Sequence, residues 1–430
     1  MRTRLQLRTL LLAFTCLLGL AALPVGLRAQ QVNMSRYITL TVKQGAEITL
    51  NFAAEADNTP VRVVSGSTDK TISVGTEFIG EQKYAAGATT MTVYGNVNKL
   101  DCSSNGENLT ALDVSHNQGL VSLSCYHNYL TSLDVSNNPK LERFNCSDNG
   151  LTSLDVSKNS KLESFNCSHN GLTSLDVSKN SKLKDFNCGG NRLTSLDVSN
   201  NHYLWMLACY INKLASLKVS KNPYLRLLFC GYNHLTSLDV SKNPELKVFS
   251  CYHNYLTSLD VSKNLKLEEL DCRGNQFTTQ EWDKIFCALP DRTNAAEAAK
   301  IIALDDDYSD SNKDLVLAAN GSNAKKKNWQ TLNDNNGDPS PITGFTGKYV
   351  CGGGSTGIPQ EQLEPLAVRP NPTHDGLYLV AEGIVRVYSV EGHLVLSAMA
   401  KGETYLDLSD LPDGVYIVRT GDRVASVVKK

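Results

Sequence analysis

The side chains best suited to chemistry in this 430-residue sequence are its 12 cysteines, most of which recur at one place in a repeating pattern. Cys102, Cys125, Cys146, Cys167, Cys188, Cys209, Cys230, Cys251 and Cys272 follow one another at intervals of 21 residues from the second onward. A metal or redox centre needs converging thiols or a CxxC pair, and neither is present. Equivalent cysteines in stacked units point in parallel rather than toward each other, which disfavours bridges between them. They read as a ladder of buried free thiols acting as small hydrophobes. Cys287 and Cys351 stand outside the ladder, where one disulfide and two free thiols are both open, the disulfide only if the chain meets an oxidising environment. Cys16 follows Thr15 inside an apolar run, whereas lipidation would want a small residue directly before it.

The other reactive types are accounted for in the same way. His127, His169 and His253 share one repeat position but lie two or four units apart. Two units is about 9–10 Å, too far to share a zinc, so surface positions are expected. Asp134, Asp155, Asp176, Asp197, Asp239 and Asp260 form a stripe, with Lys158, Lys179, Lys221, Lys242 and Lys263 three positions after the Asp position and Lys218 replacing Asp once. Such opposed stripes are most simply a solvated face, with a cation site as the other reading. Asp334 to Asp338 has a calcium-loop flavour but lacks the downstream acidic ligand, which favours a polar turn. No HExxH, GxSxG, P-loop or GxGxxG context is present. The expectation is therefore no catalytic residue, no metal and no cofactor: a binding protein rather than an enzyme. A net charge of −2 with 20% charged residues supplies no basic field for nucleic acid.

What positions these residues is a repeat. The unit opening at Leu120 restarts at Leu141, Leu162, Leu183, Leu204, Leu225, Leu246 and Leu267, with a longer first copy from about Val97. Its consensus, L-x-x-L-x-C-x-x-N-x-L-x-x-L-D-V-S-x-N, is the leucine-rich-repeat signature. Leu123 and Cys125 alternate with polar neighbours and so point inward from a short strand. Asn128 ends that strand, Leu133 and Val135 alternate on the opposite wall, and Asn138 makes the second bend. One coil cannot bury both apolar ridges, but stacked coils can, which gives a parallel-strand solenoid. Nine coils at ~4.8 Å span on the order of 40 Å. The 21-residue unit with its ladder cysteine resembles the internalin J type of bacterial leucine-rich repeat over residues 97–280. That resemblance implies a surface protein that binds host or microbial ligands.

The flanks organise as follows. Residues 1–29 read as a signal peptide: Arg2, Arg4 and Arg8 precede the apolar run Leu10 to Leu23, with a cleavage point near Ala29. No other stretch approaches the ~20 apolar residues of a membrane span. Residues 30–96 carry period-two alternation and are expected to be an N-terminal β cap, or else a small β domain with its own ligand. Residues 281–351 form a C-terminal cap region, opening with a helix capped at Thr279 and with Lys325 to Leu332 passing from helix to strand. A Gly-rich linker spans 352–364. Residues 365–430 alternate with Gly turns and should form a small all-β sandwich. The ordered run of Val368 to Pro372, Ile384 to Gly392, Leu406 to Tyr416 and the Val427-Val-Lys-Lys430 end is similar to the C-terminal sorting domain of type IX secretion substrates. This implies passage across the outer membrane, removal near the linker and attachment to surface polysaccharide.

A ligand face is suggested by the outward strand positions. They are small or charged in early coils (Glu142, Arg143, Asn145; Glu163, Ser164, Asn166; Lys184, Asp185, Asn187) and again in the last (Glu268, Glu269, Asp271, Arg273). In between come Trp205, Met206, Ala208 and Tyr210, then Arg226, Leu227 and Phe229, then Lys247, Val248 and Tyr252. A contiguous apolar patch rich in Trp, Tyr and Arg marks a binding surface, unless residues 281–350 fold over it. The expected ligand contacts are Trp205, Met206, Tyr210, Arg226, Leu227, Phe229, Val248 and Tyr252 on the concave face. The function expected is adhesion to a protein or glycan on host cells or other bacteria, possible in biofilms. Capture of glycan or peptide for uptake is the alternative, and a hydrolase sited in 31–96 or 285–350 a third.

Overall fold

The structure, a computed structural model, describes residues 31–305, 311–335, 337–351, 366–389, 394–420 and 423–430. The expected signal peptide (1–29) and linker (352–364) lie outside the described residues. The chain divides after Cys351 into two compact units.

In the first unit, the L-x-x-L-x-C stretch of each coil makes a three-residue strand, because alternation buries its middle residue against the core and turns the flanking ones to the other face, where Ala208, Ser250 and Asp271 are covered and the rest are half-buried or exposed. These are β9 (Ser122–Ser124), β10 (Arg143–Asn145), β11 (Ser164–Asn166), β12 (Asp185–Asn187), β13 (Met206–Ala208), β14 (Leu227–Phe229), β15 (Val248–Ser250) and β16 (Glu269–Asp271). They pair parallel and in register, so Leu123, Phe144, Phe165, Phe186, Leu207, Leu228, Phe249 and Leu270 form one buried column. Successive rings stack within it, Phe144 on Phe165 at 5.5 Å and Phe165 on Phe186 at 5.6 Å. The nine ladder cysteines are buried and unbridged. Burial pushes their thiols up, Cys209 to about 12.

Two rows of asparagine hold the bends. In the row following the cysteines, Asn212 donates from Nδ2 to the carbonyls of Cys188 (3.0 Å) and Cys209 (3.1 Å), and its Oδ1 accepts from Leu193 N (2.9 Å). In the other row, Asn222 donates to the carbonyls of Val198 (3.0 Å) and Asn201 (2.9 Å), while its buried Oδ1 has no donor among the described residues. Between Cys and Asn the chain passes through a left-handed residue: φ is 54° at His127, 53° at Asp148, 65° at Gly190, 49° at Ile211 and 52° at Tyr232. A β-branched side chain does not choose that region unaided, so the stacking of the coils imposes it on Ile211.

The opposite wall keeps the expected alternation without forming a strand. Leu133 and Val135 are buried and Asp134 exposed, as alternation requires, yet these residues pair in no ladder. Coils there are joined by single rungs, such as Gly150 N to Leu130 O and Gly171 N to Leu151 O, each 2.8 Å.

The start of the solenoid is closed by antiparallel strands on both walls. The six strands are β1 (Tyr37–Val42), β2 (Glu47–Ala54), β3 (Thr59–Ser65), β4 (Thr68–Val74), β5 (Gln82–Ala85) and β6 (Thr90–Tyr94). β2 pairs with β7 (Val97–Asp101), the first strand of the long sheet, and β1 pairs with β8 (Leu109–Asp113) on the other wall. At the far end β17 (Ala299–Asp305) and β18 (Trp329–Asn335) continue the parallel sheet, and β19 (Asp338–Pro341) ends it antiparallel. Helix α1 (Thr279–Ala288) buries Trp282, Ile285 and Phe286 beneath this end. Its cap is Thr278, which accepts from Glu281 N, whereas Thr279 donates to Leu315 O. Helices α2 (Ser311–Leu317) and α3 (Ser322–Lys325) follow, so the expected helix-to-strand passage begins before Lys325. Cys287 and Cys351 form a disulfide with Cα atoms 5.4 Å apart. One apolar core runs from Ile38 to Trp329.

The second unit is a five-stranded antiparallel sheet of β20 (Val368–Arg369), β21 (Gly376–Ser389), β22 (Leu394–Asp407), β23 (Gly414–Thr420) and β24 (Arg423–Lys429). Its core is built on Leu377, Leu379, Val385, Val387, Leu406, Val418 and Val427.

Candidate ligand-binding face

Residues at odd positions of each three-residue strand face away from the core. At β13, β14 and β15 these are Met206 and Ala208, Leu227 and Phe229, and Val248 and Ser250, in register across three coils. One turn beyond β13 and β15, Tyr210 and Tyr252 fold back over the same face. Both rings lie on glycine: a Cβ added at Gly189 would come within 2.6 Å of Tyr210, and one at Gly231 within 2.3 Å of Tyr252. Glycine is needed there for the close approach of ring to backbone. Tyr252 is further fixed by Tyr232 edge-on at 5.1 Å and by the Arg273 guanidinium 4.9 Å from its ring centre. The Tyr210 hydroxyl lies 3.4 Å from His169 Nε2.

Together Asn187, Met206, Ala208, Tyr210, Phe229, Ser250 and Tyr252 line an open groove of about 390 Å³ with no charged side chain in its lining. Four of the eight residues singled out by sequence, Met206, Tyr210, Phe229 and Tyr252, thus meet in one place. The others fall around it. Leu227 is half-buried between Met206 and Val248 in the strand register. Val248 lines a neighbouring cavity of about 400 Å³ with Glu268, Glu269, Arg292 and residues 295–300. Trp205, 40% exposed, and the exposed Arg226 each precede a strand by one residue and form the rim. None of the described residues of 281–351 lines the first groove. Sequence reasoning missed Ser250, whose only signal is that it shares the register of Ala208 and Phe229.

On the other side, sharing Asn187 and Met206, lies a polar groove of about 330 Å³ lined by Ser122, Ser124, Arg143, Asn145, Ser164, Asn166 and Asp185. Burial pushes the Asp185 carboxyl up, against the pull of the Ser164 hydroxyl.

At the end of the face, Arg273 is surrounded by carboxylates. Its Nε is 3.7 Å from Asp271 and 3.4 Å from Asp305, and its Nη1 pairs with Asp334. His253 Nε2 is 3.0 Å from Asp305 Oδ2, and its ring stacks on Tyr232 at 4.4 Å. The surface position expected for His253 is therefore corrected: its side chain is only 8% exposed, because β17 brings Asp305 against it. Desolvation pushes Asp271 up to about 7, opposed by Arg273. Asp334 also accepts from Gly337 N at 2.9 Å, and Asp334 and Asn335 pair antiparallel with Pro339 and Asp338, so these residues belong to the hairpin of β18 and β19. The Asp stripe has a local explanation too. Asp155, Asp176 and Asp239 each accept from the backbone N–H of the serine two residues on at 2.8 Å, which holds their carboxyls low.

Residues 367–430 match the family described as a secretion system C-terminal sorting domain, which indicates secretion across the outer membrane. No curated protein matches the chain. Among solved structures, the chain is similar to the functional domain of InlJ from Listeria monocytogenes, described as including a cysteine ladder. Identity is 27% over 58% of this chain and 56% of that one, with a TM-score of 0.43. It is also similar to a leucine-rich-repeat protein of Leptospira interrogans, at 23% identity over 41% of this chain and 48% of that one, TM-score 0.40. An internalin (InlF) of Listeria monocytogenes aligns at 18% identity over 54% of this chain and 74% of that one, TM-score 0.38. The chain spans about half the length of the first two.

Proposed function

We propose that this chain is an exported binding protein, held at the cell surface, that uses the strand-lined face of its solenoid as an adhesin toward host or microbial partners, biofilm formation included. The observation that carries this reading is the groove from Met206 to Tyr252. It gathers apolar and aromatic side chains at outward positions that are polar in the coils before and after. Contiguous exposed apolar surface of this kind marks interaction sites, and aromatic residues with arginine dominate interface energetics. The sorting-domain match supports delivery to the outside of the cell. The expected contacts remain Trp205, Met206, Tyr210, Arg226, Leu227, Phe229, Val248 and Tyr252, the first and fourth from the rim.

The test is binding of the purified chain to host-cell extracts, matrix proteins and partner bacteria, beside a Trp205→Ala plus Phe229→Ala variant. Saturable binding lost in the variant supports the reading; binding unchanged in the variant overturns this placement of the site. A second reading, capture of glycan or peptide for uptake, is favoured by the polar groove with its row of Asn145, Asn166 and Asn187. Binding of free sugars that survives the double variant would select it.

A further inference from the structure

The rim above the groove has a pattern of charge that names the chemistry of a partner. One residue before each strand, successive coils place Glu163, Lys184, Trp205, Arg226, Lys247 and Glu268 side by side. The outer pairs are satisfied: Lys184 Nζ is 2.9 Å from Glu163 and Lys247 Nζ is 3.1 Å from Glu268. The nearest acid on the adjoining edge, Glu245, is engaged by Lys266 through both oxygens at 2.6 and 2.7 Å. Among the described residues, Arg226 has no carboxylate at ion-pair distance. It stands exposed in the row that also holds the exposed indole of Trp205, at the edge of an uncharged, largely apolar groove whose nearest lining residue on the same coil is Phe229.

We propose that the groove receives an extended peptide segment of a partner protein, in which an apolar or aromatic side chain seats among Met206, Phe229, Tyr210 and Tyr252 and a nearby carboxylate pairs with Arg226. This rests on the reading of the groove as the contact face. The lining favours a side chain over a sugar ring. A sugar presents a hydroxyl on nearly every carbon, and each one buried needs a partner, whereas the exposed lining of the groove is mostly carbon, with polar side-chain atoms only on Asn187, Ser250, Tyr210 and Tyr252. The neutral lining favours an uncharged anchor, because a buried unpaired charge is costly. The free guanidinium favours an anion at the edge, where a planar fork meets a carboxylate through two parallel hydrogen bonds. Arg226 lies one residue before β14 and Phe229 ends it, three residues apart and so at most about 10 Å at the usual rise. An extended ligand running along the strand therefore places its acid within about four residues of its anchor.

The experiment is selection of a phage-displayed random dodecapeptide library on the immobilised full chain. Fluorescence anisotropy of the strongest peptide then compares the native protein with Arg226→Gln, Arg226→Lys and Phe229→Ala. The expected peptides carry a large apolar residue with Asp or Glu within four positions. Arg226→Gln should weaken binding about tenfold, Arg226→Lys less, and an Asp→Asn or Glu→Gln change in the peptide should cost nothing further once Arg226 is Gln. Enriched peptides without an acid, or binding equal in Arg226→Gln but lost in Phe229→Ala, would overturn the carboxylate partner while leaving the groove as the contact. Binding indifferent to both would overturn the groove reading as well. Failure to enrich any peptide, with alginate bound in an Arg226-dependent manner, would replace the peptide by an acidic polysaccharide.

Discussion

The two asparagine rows make a sharp thermodynamic contrast within one coil. Asn212 and Asn222 are both buried, and each donates its two amide hydrogens to carbonyls of the core bends, Asn212 with a longer third contact to Tyr210 O at 3.3 Å. Each of those carbonyls keeps another donor when either side chain is removed. Cys188 O still accepts from Asn191 and Cys209 O from Asn233; Val198 O and Asn201 O still accept from the backbone of Asn201 and Leu204. The difference is at Oδ1. That of Asn212 is the acceptor for the buried Leu193 N–H, and that of Asn222 has no donor among the described residues. Asn212→Ala thus loses two donated bonds at about 0.5–1.5 kcal/mol each and orphans a buried N–H at about 1–3 kcal/mol, in all roughly 2–6 kcal/mol. Asn222→Ala loses the same two bonds but relieves an unpartnered buried oxygen worth about 1–3 kcal/mol, leaving a net effect within about 2 kcal/mol of zero. Urea denaturation of both variants, followed by circular dichroism, compares their midpoints at constant m-value. A loss for Asn222→Ala equal to or greater than that for Asn212→Ala would refute the reasoning.

The remaining predictions concern titration. The ladder thiols, buried and with their ionisation suppressed, should give no fast reaction with Ellman's reagent at pH 8 in the native protein and nine equivalents after denaturation, to which Cys16 adds a tenth wherever residues 1–29 are retained; more than one rapid equivalent in the native protein contradicts the stacked ladder. Asp271, pushed up to about 7 by burial, with Arg273 opposing and Asp334 and Glu269 adding to the shift, holds an extra proton in the folded state. Its contribution to stability is full below its unfolded value near ~3.9 and lost as pH rises through the folded one. Relative to Asp271→Asn, the native protein should therefore lose stability between about pH 4 and pH 8, by an upper bound on the order of 4 kcal/mol, and parallel pH profiles for the two would sink this assignment.

Much of the solenoid was legible because its cause is local. The alternation of Leu123, Ser124 and Cys125 fixes which side chains are buried, and repetition every 21 residues fixes their stacking. The groove was half legible for the same reason: Met206 and Phe229 face outward by strand periodicity alone. Trp205 and Arg226 were grouped with them because sequence does not show that each lies one residue ahead of its strand. What sequence could not show depends on partners far along the chain. His253 is buried by Asp305, 52 residues away. The pairing of β1 with β8 and of β2 with β7 joins segments separated by whole strands, so no local period announces it. The absence of a ladder beside Leu133 and Val135 follows from backbone direction, which an in-out pattern of side chains does not specify.

Because β2 and β1 meet the first coil on its two walls, and β17 meets the last, every interior coil offers its neighbours the same two faces. The ends do not register how many coils lie between them. A genetic exchange between misaligned repeats would insert or remove one 21-residue coil while leaving both closures and the cysteine column intact. The coils carrying the groove could in this way be duplicated, moved along the row or replaced as a cassette. Length and specificity are then inherited separately from stability, so a lineage carrying this chain can change what it holds without redesigning how it folds.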